Sequence, residues 1–242
     1  MISILLKVLI FLIYEYDNQV FQLIDELTGL EINRSDRIHE EEKQRYFIKA
    51  DANGVGAVYY GGNWTVQNST SLDAYLSINW LQIHEIAHGY EVPSKEMGIV
   101  DVLNNVYGTY YQQKYLTNFI KDSWLFGNNK QGLINNVKTN VLEKYIGYNE
   151  QGYHEKLLLF MILVECLSQQ GFAEFNKYHR KLANEGKMVN DLVQLFIEFG
   201  YKYQKYKLVP YLQLLGLTVN DQTANQFLIN DSQPVAFVTQ VV

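Results

Sequence analysis

One segment constrains this chain more than any other: Trp80-Leu-Gln-Ile-His-Glu-Ile-Ala-His-Gly-Tyr90. His84 and His88 are four residues apart, so on a helix both imidazoles face the same way. Two nitrogens on one face supply half of a tetrahedral zinc shell. Glu85, beside His84, can reach a water held on the metal, take its proton as the water attacks a carbonyl, and pass it to the leaving amine. Ile83, Ile86 and Ala87 flank the polar residues, and the small Ala87 lets the helix approach a neighbour closely. The competing reading is a pair of core histidines satisfied by hydrogen bonds.

A third protein ligand is required, and Glu91, Glu96 and Asp101 are the candidates. Glu91 belongs to the same helix or its end and would have to turn back. Glu96 stands near the start of the next helix. Asp101 lies inside that helix, on a segment able to cross the first, and is favoured, with Glu96 next. Asn105, one turn further along the same face, can hydrogen-bond the outer nitrogen of a ligating histidine and fix its tautomer. An oxyanion donor is also needed. Tyr90, Tyr107 and Tyr111 are near in sequence, although each also reads as a packing residue. His39, His154 and His179 lack ligand spacing and read as surface residues, with His154 or His179 able to reach a cleft from the helical half.

The surrounding pattern supports helices over residues 72–90 and 97–116. A buried amphipathic helix is expected over 5–29, stopped by Gly29. Residues 47–66 read as strands punctuated by Gly54, Gly56, Gly61 and Gly62. These glycines lack the spacing of a phosphate loop, and residues 51–54 lack the remaining ligands of a calcium loop. Turns and short helices are expected over 117–151, with Gly127, Gly132, Gly147 and Gly152 as breaks. Helices follow at 153–170, 172–184, 189–199 and 206–215, and alternation of Phe227, Ile229, Val235 and Phe237 suggests strands within 216–242.

Composition bounds the function classes. With 242 residues, 48% hydrophobic and 19% charged, the chain can bury a sizeable core. A net charge of −6 with no Lys/Arg stripe argues against a nucleic-acid binder. Lys202, Lys205 and Lys207 form the only local basic run and read as a solvated helix end. Cys166, the only cysteine, excludes an intrachain disulfide and reads as buried and inert. Residues 2–14 are apolar but interrupted by Lys7; they are too short for a transmembrane helix and lack a small-residue cleavage site before Glu15. The 19 tyrosines suit stacking on sugars or peptides, or reflect AT-rich coding.

Four stretches together resemble the M60-like or enhancin family of zinc metallopeptidases: KADANGVGAVYYGG (49–62), WLQIHEIAHGYE (80–91), VDVLNNVYGTYYQQ (100–113) and LVPYLQLLGLTV (208–219). The resemblance implies His84 and His88 as zinc ligands and Glu85 as catalytic base. Where the family carries a glutamate ligand followed by Val, with Asn four residues on, this chain has Asp101, Val102 and Asn105. Aspartate is one methylene shorter, so the second helix must sit closer or the carboxylate must bind differently. The implied fold is α+β and thermolysin-like: a small sheet lobe (about 30–70) and a helical lobe (71–219), with the zinc cleft between, making a catalytic domain over 1–219 and a C-terminal extension over 220–242.

The implied activity is endopeptidase hydrolysis of proteins, above all mucin-like O-glycoproteins. The implied location is extracellular or cell-surface, with carbohydrate-binding modules in a longer parent. No transmembrane anchor and no nucleic-acid partner are expected. The alternatives are a glycoprotein-binding or toxin-associated zinc domain with little catalysis, and a purely structural helical domain.

Overall fold

The computed structural model describes residues 2–31, 47–49, 58–61, 64–67, 80–90, 100–187, 192–227 and 233–234. Helix α1 (Ile2–Thr28) ends as expected at Gly29, whose φ of +69° is the left-handed conformation that closes a helix. The Leu30 amide caps the end by donating to the Asp25 carbonyl at 2.9 Å. Only the second half of α1 is core: Tyr16, Val20, Leu23, Ile24 and Leu27 are buried, whereas Val8, Ile10, Phe11, Leu12 and Tyr14 are exposed. The expectation of a buried amphipathic helix over most of 5–29 is corrected accordingly: its first half is largely exposed.

Three short strands follow: β1 (Phe47–Lys49), β2 (Val58–Tyr60) and β3 (Trp64–Gln67). The last lies between the others, parallel to β1 and antiparallel to β2. Both β2 and β3 rest against α2 (Trp80–Ala87), which runs into a 3-10 turn at His88–Tyr90. The next helix, α3 (Val100–Tyr115), is packed extensively against α2 and also meets α1 and α6 (Tyr153–Asn184). Between them lie α4 (Phe119–Asp122) and α5 (Lys130–Val137), each capped by an asparagine: Asn118 accepts from the Lys121 amide and Asn129 from the Gly132 amide. Gly132 is therefore inside the first turn of α5 and is no break.

Helix α6 starts where Glu155 folds back to accept from the Gly152 amide at 2.9 Å while also accepting from Asn140 Nδ2 at 2.8 Å. That start delivers Tyr153 and His154 to the region of α2 and α3. The two helices expected around residue 171 are joined as α6 with a kink at Ser168 (φ 65°, ψ 163°), three residues earlier, where the serine hydroxyl accepts from the Gly171 amide. The chain continues through α7 (Leu192–Phe199), β4 (Tyr206–Lys207), α8 (Val209–Leu214), α9 (Asp221–Phe227) and β5 (Gln233–Pro234), with β5 pairing parallel to β4. Residues 221–227, part of the 216–242 stretch whose alternation suggested strands, are helical. Asn220 accepts from the Thr223 amide, and Thr223, Ala224 and Phe227 bury one side.

The expected α+β, thermolysin-like two-lobe arrangement is also corrected. Among the described residues the architecture is predominantly helical. The strands are two to four residues long and do not build a lobe with its own core. The core lies instead between α1, α3, α6, α7 and α8. Buried polar groups tie it together: Asn176 donates to the Leu27 carbonyl across α1 and α6, and Tyr211 donates to the Leu159 carbonyl across α8 and α6. Helix α6 is long and apolar enough to cross a membrane, but 61% of its apolar stretch is buried inside the protein, as a core helix requires.

Candidate metal centre

Helix α2 is fixed from behind. Ile83, Ile86 and Ala87 are fully buried, and buried Gln82 donates to Asp17 Oδ1 on α1 at 3.1 Å. Burial pushes the Asp17 carboxyl up from 3.8 to about 7. With that face committed, His84, Glu85 and His88 emerge half-buried on the other. One ligand atom from each lies within 4.8 Å of the others. The imidazoles meet edge to face at 4.8 Å, and Glu85 Oε2 is 3.9 Å from His88 Nε2.

Helix α3 grips the outer nitrogens of both rings from two consecutive residues. Asn105 Oδ1 lies 3.0 Å from His84 Nδ1 and 2.6 Å from Trp80 Nε1. An indole N–H only donates, so Asn105 must present its oxygen there. The Asn105 amide nitrogen is used elsewhere, donating to the Asp101 carbonyl at 2.6 Å. His84 Nδ1 must then carry the proton, which leaves Nε2 with the lone pair a metal needs. Asn104, fully buried, places its amide 2.7 Å from His88 Nδ1. Two imidazoles and a carboxylate, converging on one side and supported behind, fit a divalent ion that accepts nitrogen and oxygen ligands.

Of the residues expected at the site, the structure brings together His84, Glu85, His88 and Asn105. Asp101 stands in the first turn of α3, and its Oδ2 accepts from the Tyr153 hydroxyl at 3.3 Å. No further His, Cys, Asp or Glu among the described residues joins the three-residue group. Glu91, Glu96 and His39 lie outside the described residues. Tyr107 and Tyr111 are buried in the helical core, the first beside Phe172 and the second donating to Gln19 Oε1 on α1, while Tyr90 is partly buried against that core.

Sequence reasoning missed several neighbours. Tyr153 reaches Asp101 from α6, and the negative carboxylate raises its phenol above the ordinary value. Trp80 leans on His84 and stacks on Trp124 at 4.2 Å, and Trp124 stacks on His154 at 4.3 Å. His154 Nδ1 donates to the Leu125 carbonyl at 2.8 Å, so this histidine is half-buried beside the site rather than a free surface residue. His179 is buried, and burial with Arg180 lowers its pKa. Cys166 is half-buried, and burial with Glu165 raises its thiol, which keeps it protonated and unreactive.

No family model matches the chain. It is 30% identical over 165 residues to the viral-enhancing factor of Trichoplusia ni granulosis virus, a match covering 64% of this chain and 18% of that protein. It is 35% identical over 118 residues to the viral-enhancing factor of Pseudalatia unipuncta granulosis virus, covering 46% of this chain and 13% of that one. The chain is a distant homologue of the viral-enhancing factors. Its His84-Glu85-x-x-His88 cluster is consistent with the gluzincin superfamily. The matched region spans less than a fifth of these relatives. Two crystal structures from Bacillus anthracis, a conserved protein of unknown function and its mutant, share the fold over 89% of this chain and 45% of theirs, at 18% identity and TM-scores of 0.72 and 0.74.

Proposed function

We propose that this chain is the metal-binding core of a zinc-dependent endopeptidase. The observation that carries this reading is the convergence of His84, Glu85 and His88 within 4.8 Å on one helix face. Asn105, whose oxygen fixes the metal-ready tautomer of His84, supports it. His84 and His88 would hold the ion, with Asp101 as third protein ligand, its carboxylate leaving the Tyr153 hydroxyl to do so. When bound, zinc supplies a Lewis acid that polarises a carbonyl and makes water nucleophilic near neutral pH.

The rest of the chemistry belongs to the chain. Glu85 takes the proton of the attacking water on a carboxylate oxygen and delivers it to the departing amine nitrogen, so one group serves as base and then as acid. Asn105 keeps the His84 proton on Nδ1 and the ring turned inward. Trp80 and Trp124 line the site on the His84 side. The proposed substrate is a protein, with O-glycosylated proteins the first class to test, and an extracellular setting belongs to the same proposal by analogy with the enhancing factors.

The test is cleavage of an O-glycosylated mucin beside its deglycosylated form, with zinc present and Glu85→Gln as control. Glycan-dependent cleavage lost in the control supports the full proposal. Equal cleavage of both forms keeps the peptidase and removes the glycan requirement. Zinc binding without cleavage of either would favour a binding domain instead.

A further inference from the structure

The two histidines are supported differently. His84 is preset, because the donor-only indole of Trp80 and the Asp101 carbonyl together fix which end of the Asn105 amide faces the ring. At His88 the amide of Asn104 is 2.7 Å from Nδ1 with its nitrogen turned to the ring. In that orientation Asn104 donates, Nδ1 accepts, and the ring proton sits on Nε2, the atom 3.9 Å from Glu85 Oε2. A half-turn of the amide presents the oxygen, moves the proton to Nδ1 and frees the Nε2 lone pair. No proton is gained or lost; the ring changes tautomer.

We infer that Asn104 is the positioning residue for His88, and that it holds the metal-competent tautomer by turning its amide oxygen to Nδ1. The inference rests on the zinc reading of the site and goes beyond it. Consecutive residues on a helix point about 100° apart, so Asn104 and Asn105 can each reach a different ring on the crossing α2. Asn104 is fully buried, so no solvent competes for the Nδ1 contact.

The experiment measures zinc affinity by competition with a chromogenic chelator for wild type, Asn104→Leu, Asn104→Asp and His88→Ala. Asn104→Leu fills the same space without an acceptor, and its affinity is expected to fall roughly 10- to 100-fold. Asn104→Asp keeps an acceptor and should stay within a few-fold of wild type. Asn104→Leu binding as tightly as wild type would overturn the inference.

Should Asn104→Leu fail to fold, nitrogen-correlated NMR of the His88 ring in the wild-type protein decides. A ring proton on Nδ1 with zinc present and on Nε2 with zinc removed is expected, and a proton on Nε2 with zinc present overturns the inference. Failure of wild type to bind zinc at all is a separate outcome that removes the metal reading and this inference with it.

Discussion

At the scale of single residues, the site depends on which nitrogen of each imidazole carries a proton. For His84 that question is answered two hydrogen bonds away, at the Trp80 indole. Trp80→Phe retains the stacking on Trp124 and His84 but deletes the donor that orients Asn105. Zinc affinity is expected to fall by about tenfold with little change in thermal stability, measured by chelator competition beside a melting curve.

Part of this network was legible in the sequence and part was not. His84, Glu85 and His88 were visible because a helix turns a four-residue spacing into one face. Asn105 was visible because it stands one turn beyond Asp101. Asn104 was hidden beside it, since nothing in two adjacent asparagines says that each serves a different ring until the crossing of α2 and α3 is known. Trp124, Tyr153 and His154 come from 36 to 70 residues away along the chain, and no local periodicity announces them.

At the scale of elements, α1 divides into an exposed and a buried half, and substitutions should report it. Phe11→Ala is expected to change stability by no more than about 0.5 kcal/mol, whereas Leu27→Ala should cost about 2–5 kcal/mol, both by urea unfolding. The buried half also carries Asp17, which accepts from Gln82 on α2. An unfolded aspartate ionises near 3.8, while in the fold this one keeps its proton to about 7. The folded state therefore binds more protons between those values, and stability falls as pH rises through that window. Asp17→Asn removes the group. Its Tm should differ little from wild type near pH 4 and exceed it above pH 7, by a free-energy difference on the order of 4 kcal/mol at most. Parallel pH profiles would contradict this.

The element boundaries that sequence reading misplaced have local causes. The apolar alternation around Phe227 resembles a strand, but Asn220 caps a helix whose buried side is Thr223, Ala224 and Phe227. At the kink in α6, the sequence reading divided two helices at residue 171, yet Ser168 takes the positive φ and uses its hydroxyl as the new cap.

At the scale of the whole molecule, the helical core does the work that a two-lobe reading had shared with a sheet. Glycine-rich, aromatic residues over 47–66 suggested strands, and the family resemblance implied a sheet lobe; the described part of that region is three short strands, of which β2 and β3 rest on α2. The helix that carries the candidate metal face is thereby packed against α3 and against β2 and β3. An ion bound only by the folded state raises stability by mass action, about 2.7 kcal/mol at a hundredfold excess over its dissociation constant. Added zinc should accordingly raise the Tm of wild type and of Glu85→Gln, and leave His84→Ala unchanged.

The measurement that tests the central claim most directly is the zinc content of purified protein after dialysis, for wild type, Glu85→Gln, His84→Ala and His88→Ala. The account predicts one zinc per chain in the first two and its loss in both histidine variants. A wild-type chain that holds no zinc, or histidine variants that retain it, would contradict the assignment of this face as a metal centre.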